Sequence, residues 1–123
     1  MGTFTHTITL ISASGDRRET IQALVDTGAT FSSAPASVLE LLGVVVERTV
    51  RLQLANGQIQ ERPLGMVRAE LDGVQSTIPC VFGEPGEPPV IGAITLEVFL
   101  MSVDPVQRRL LPVVGFRLQL QMP

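Results

Sequence analysis

Asp26 is the residue in this sequence best placed to do chemistry. It stands in Leu24-Val25-Asp26-Thr27-Gly28-Ala29-Thr30, where an apolar stretch delivers a carboxylate, followed at once by a hydroxyl and a glycine. A strand that ends in an acid shields one flank of the carboxylate, Thr27 can hydrogen-bond locally, and Gly28 lets another backbone come close. A carboxylate so placed can serve as general base or acid toward a bound water. Read by itself, the segment also fits an ordinary turn in which Asp26 caps the next segment. Further along stands Val90-Ile91-Gly92, and after it Ile94 to Leu100, apolar around Glu97. Alone, that piece reads as core.

Other chemistries are removed by composition. With one cysteine (Cys80) and one histidine (His6), no zinc site can be built from Cys and His, and no metal or cofactor is expected. A Ser-His-Asp triad would have to recruit His6 from the chain's first residues, and no G-x-S-x-G is present. Ser32 and Ser33 read as polar loop groups. Lysine is absent, the nine arginines are outnumbered by twelve carboxylates, and all five aromatic residues are Phe, which argues against a nucleic-acid partner. The most apolar stretch, Val90 to Val103, is short and broken by Glu97, so no membrane span is expected. A single cysteine fits a reducing compartment, and MGTFTHTITL lacks a basic region leading into an apolar block, so a cytoplasmic location is expected. Cys80 itself reads as a buried small apolar residue.

The 123 residues, 45% hydrophobic, suit one domain with its own core, and the elements that must position Asp26 are mostly strands. Thr3 to Ile11 and Glu19 to Val25 have strand character, and Glu47 to Leu54 alternates Val50, Leu52 and Leu54 against Arg51 and Gln53. Asn56-Gly57 predicts a type I′ hairpin, and Asp72-Gly73 predicts another between Met66–Leu71 and Val74–Phe82. Helix is expected at Ala34 to Leu42, with Pro35 in its first turn and Gly43 as a stop, and at Ile94 to Leu100. Gly83 to Pro89 is a proline-rich loop. Leu110 to Pro123 reads as a final strand with Phe116, Leu118, Leu120 and Met122 on one face.

Taken in order, these pieces resemble the retropepsin-like aspartic proteases of clan AA: a D-[ST]-G-[AST] turn, a helical segment, a flap hairpin, two more strands, then an apolar-apolar-Gly loop and a helix. The small prokaryotic single-domain members are the most similar, with phrases such as LVDTGAT, LANGQ, ERPLG, IGAITLE and VDPVQRRLLP. The resemblance runs from about Thr20 to Val113. It implies a mostly β, single-lobe acid-protease barrel with one or two short helices, acting as a cofactor-free homodimer on peptide or protein substrates. It implies that Asp26 is the catalytic carboxylate and that Thr27, Ile91 and Gly92 support its loop. Gly28, Ala29 and Thr30, and Ala55, Asn56 and Gly57 at the tip of a flap spanning about 47–64, would meet substrate. Two facing carboxylates share one proton, so one can take a proton from water while the other polarises the scissile carbonyl.

Of four aspartates (Asp16, Asp26, Asp72, Asp104), only Asp26 lies in a D-[ST]-G; Asp72 belongs to its hairpin, and Asp104 before Pro105 reads as a turn residue. A single lobe must then take its second carboxylate from another copy on a twofold axis. Viral members pair an Asp two residues after the D-[ST]-G with an Arg after the apolar-apolar-Gly. Thr30 and Ala93 stand there instead, so both partners are missing together and no orphan charge is left. The C-terminal strand 113–123 and Thr3 to Ile11 are the candidate interface strands. A proteolytically silent homodimer that binds peptide or assembles a partner is the alternative, since fold does not fix function.

Overall fold

The computed structural model describes residues 3–115. Strands β1 (Phe4–Ile11) and β2 (Arg18–Val25) form an antiparallel pair. Phe4, Ile8 and Leu10 of β1 are buried, while Thr5, Thr7 and Thr9 are not, the alternation a half-buried strand requires. A short β3 (Ser32–Pro35) leads into helix α1 (Ala36–Leu41). Strands β4 (Val46–Gln53) and β5 (Ile59–Leu71) make the long hairpin, and β6 (Val74–Gly83) returns along β5. A two-residue β7 (Val90–Ile91) precedes α2 (Ala93–Val98). The small pair β8 (Met101–Asp104) and β9 (Arg109–Pro112) comes last.

The main sheet runs β1-β2-β7-β3-β6-β5-β4, and β1 also pairs with β5, so six strands close into a barrel with β4 hung outside on β5. Closure removes the free edges that β1 and β5 would otherwise present. Arg18 and Glu70 clasp the seam at 2.9 Å. Leu39 of α1 and Leu96 of α2 are buried in one core with Leu10, Leu71, Ile78 and Ile91. Deleting a side chain such as that of Leu39 would cost about 2–5 kcal/mol. A second, smaller cluster of Val50, Leu64 and Val81 lies under the β4–β5 hairpin.

Several expectations need correction. Ala34 and Pro35 belong to β3, so α1 starts at Ala36, with Pro35 extended at its N-cap. The hairpin tip is not type I′. Leu54 N–H donates to Gln58 O (2.8 Å) and Gly57 N–H to Leu54 O (2.9 Å), and only Gly57 has positive φ (88°), as in a three-residue loop closed by a glycine bulge. Asp72-Gly73 does form the two-residue turn, with φ of 49° and 82°. The expected strand Leu110 to Pro123 stops at Pro112: Val113 makes a last bond to Leu100 O (2.9 Å), and 113–115 have no strand partner among the described residues. The rest of that segment, with Phe116, Leu118, Leu120 and Met122, lies outside the described residues. No described helix is long and apolar enough to cross a membrane.

Candidate active site

Strand β2 carries Asp26 to the barrel's end. Val25 is paired in parallel with Ile91, and Asp26 N–H donates to Ile91 O (3.0 Å), so β7 fixes the backbone on which the acid sits. The chain then turns, with Ala29 N–H donating to Asp26 O (3.1 Å). Asp26 Oδ1 accepts the Gly28 N–H at 2.9 Å, which orients the carboxylate with its own turn. Asp26 is half-buried, and Thr27, Gly28 and Thr30 lie exposed around it.

Beneath the turn, Ile91 is fully buried and Gly92 meets the turn's backbone directly. A Cβ on Gly92 would lie 2.5 Å from Phe31 O and 2.9 Å from Ala29 O, so close approach, not positive φ, demands glycine here. The first N–H groups of α2 have no side-chain cap. Carbonyls of the Asp26 turn take them instead: Ala93 N–H donates to Ala29 O (2.7 Å) and Ile94 N–H to Thr30 O (3.1 Å). Main-chain bonds thus join the two loops directly, through Ala29 and Thr30 on one side and Ala93 and Ile94 on the other. Ser32, expected to be a polar loop group, is buried. Its Oγ accepts the Gly92 N–H (3.0 Å) and shares a 2.5 Å hydrogen bond with the buried Thr95 hydroxyl.

A groove of about 450 Å³ opens between the turn, at Gly28 to Phe31, and the hairpin arm, at Arg51 to Leu54. Phe31, Leu52, Val81 and Val90 give it apolar walls, and one corner holds Gln60, Arg62 and Glu87. Ala55, Asn56 and Gly57 are exposed at the tip and do not line this groove; the hairpin's arms do. Asn56 serves its own loop, its Oδ1 accepting the Gln58 N–H at 2.9 Å.

The charged corner is not apparent in the sequence. Arg62 is buried, and its guanidinium donates to Glu87 Oε1 (2.9 Å) and Oε2 (2.7 Å), with Gln60 Oε1 at 2.7 Å and Glu84 Oε1 at 3.4 Å. Glu87 also accepts the Glu84 N–H (2.8 Å). The Arg62 hydrogen bonds hold the Glu87 carboxyl well below its usual range, at about 2, and the same contact raises Arg62. The other three aspartates are occupied elsewhere. Asp16 accepts from the Ser12 and Ser14 hydroxyls, Asp72 contacts His6 (2.9 Å), and Asp104 accepts the Val106 and Gln107 N–H groups (3.0 and 3.1 Å).

A closed barrel with an acid turn at its end, an apolar-apolar-Gly strand beneath and a long hairpin alongside defines a retropepsin-like fold, and solved structures agree. The simian foamy virus (mac) protease matches with a TM-score of 0.55 at 13% identity, covering 76% of this chain and 91% of that one. The retroviral protease-like domain of Ddi1 from Leishmania major matches at 0.55 and 16% identity, covering 91% and 89%. Lpg0085 of Legionella pneumophila, a protein described as of unknown function, matches at 0.55 and 20% identity, covering 89% and 93%. At these identities the likeness concerns fold alone. No curated protein matches the sequence. The sequence model of a family described as aspartyl protease matches residues 11–98, and the chain belongs to that family.

Proposed function

We propose that the chain is an aspartic endopeptidase that works as a homodimer, with one Asp26 from each copy on a shared twofold axis. The observation that carries this reading is the exposed, self-oriented Asp26 turn in a chain whose other aspartates serve turns and a His6 contact. One lobe supplies one such carboxylate, and isologous pairing supplies the second.

Two carboxylates at close range share one proton. The unprotonated one takes a proton from the water between them as its oxygen attacks the scissile carbonyl carbon. The protonated one gives its proton to the carbonyl oxygen, leaving a neutral tetrahedral diol. Collapse of the diol returns a hydroxyl proton to one carboxylate, while the amine leaves with the other carboxylate's proton. Thr27 would bridge to the opposite turn, and Gly28 would meet the substrate backbone. The β4–β5 hairpin would cover an extended peptide lying in the groove and exclude water.

Mixing wild type with Asp26→Ala before assay tests the shared site. Activity should fall with the square of the wild-type fraction, because mixed dimers carry one carboxylate. A fall in direct proportion to that fraction would mean that each copy works alone. Folded dimers that cut nothing at any ratio would favour the silent peptide-binding dimer.

A further inference from the structure

The Arg62–Glu87 pair lines the groove, and nothing in the proposed hydrolysis uses it. Its two halves differ in exposure: the Arg62 side chain is 11% exposed and that of Glu87 42%. Arg62 belongs to β5 of the hairpin, whereas Glu87 rides on the loop 84–89, and the two meet in the groove's charged corner. A buried guanidinium needs a carboxylate, and here a partly exposed partner from the same chain fills that need with both oxygens. The charged residues that line the groove are Arg51 and Arg62 from the hairpin and Glu87 from the loop, and Glu84 also reaches Arg62.

We propose that Glu87 is a specificity-determining residue: it occupies the groove's cationic corner and so excludes acidic substrate side chains from it. The inference rests on the reading of the groove as a peptide site. An acidic side chain entering the groove would have to displace Glu87 and leave it near a competing negative charge, an arrangement that discriminates by repulsion. Removing Glu87 leaves Arg62 with Gln60 and the more distant Glu84 carboxylate (3.4 Å), and opens the corner to an acidic side chain.

The test is a peptide mixture profiled with wild type, Glu87→Ala and Arg62→Met/Glu87→Ala, each first shown to be folded by its thermal transition. Glu87→Ala should raise cleavage of peptides with Asp or Glu near the scissile bond about tenfold relative to their Gln and Asn counterparts. The double variant should lose that gain, because the receiving cation is gone. The same mixture is also bound to Asp26→Ala with and without Glu87→Ala, which needs no hydrolysis. Acid enrichment on binding without any wild-type cleavage supports the role of Glu87 and counts against the protease. Wild-type cleavage with an unchanged acid preference in Glu87→Ala overturns the role of Glu87 and leaves the protease standing. If Glu87→Ala does not fold, Glu87→Gln takes its place with the same readout and a smaller expected gain.

Discussion

Gly92→Ala probes the joint between the Asp26 turn and its support. The new Cβ would stand 2.5 Å from Phe31 O, 2.6 Å from Phe31 C and 2.9 Å from Ala29 O, all backbone atoms that no rotamer change can move aside. Even a 3.4 Å contact requires the two loops to separate by most of an ångström. Overpacking of this kind costs about 1–3 kcal/mol. The separation also strains the Ala93–Ala29 bond of 2.7 Å and the Gly92–Ser32 bond of 3.0 Å, each contributing about 1 kcal/mol. The expected loss is therefore about 3–5 kcal/mol, a large part of the roughly 5–15 kcal/mol that holds a domain together. Urea denaturation should show the midpoint falling with an unchanged slope, and thermal unfolding a drop on the order of 15 °C. Gly115→Ala is the control: its Cβ would meet Leu100 Cδ2 at an ordinary 3.5 Å, so stability should stay within about 0.5 kcal/mol. A Gly92→Ala protein as stable as wild type would refute the steric reasoning.

Ser32→Ala should cost about 1–3 kcal/mol by leaving the Gly92 N–H and Thr95 hydroxyl unpaired. Adding Thr95→Val should cost less than the single losses sum to, a coupling that denaturation of all four proteins would measure. Glu87 is lowered from 4.5 to about 2 on folding, so the unfolded chain takes up its proton first as pH falls. Its stabilisation is complete above about pH 5 and is lost on acidification toward pH 2. Because Glu87 is partly exposed, screening reduces the effect to on the order of 1 kcal/mol, and Glu87→Gln should flatten the stability profile over that range. The Cys80 thiol is pushed up to about 12 by burial, so iodoacetamide at pH 8 should label it only as fast as the protein opens. Labelling of native protein at the rate of a free thiol would contradict that burial.

Much of the fold is legible in the sequence because local signals agree with the tertiary outcome. The threonines of β1 face away from its buried Phe4, Ile8 and Leu10, and Asp72-Gly73 takes the turn its residues favour. Strand β3 is hidden, since Ser32-Ser33-Ala34-Pro35 has little strand character and is extended because it fits between β6 and β7. Asn56-Gly57 signals a hairpin but not its type, because Leu54–Gln58 pairing sets the loop at three residues. At the site, the Asp26 turn and the Ile91-Gly92 support are readable as continuous motifs. The groove's charged corner is not, because Arg62 and Glu87 lie 25 residues apart and meet only through packing of β5 against the loop after β6. Ser32 escapes a local reading for a similar reason: its burial depends on α2, which is distant in sequence.

The most direct test of the central claim is cleavage of a diverse peptide mixture between pH 4 and 7, read by mass spectrometry, for wild type beside Asp26→Ala. Defined cleavage sites that disappear in the variant are the expected result. Identical cleavage by both proteins would contradict the assignment of Asp26, and no cleavage by wild type, folded and dimeric, would contradict the protease itself.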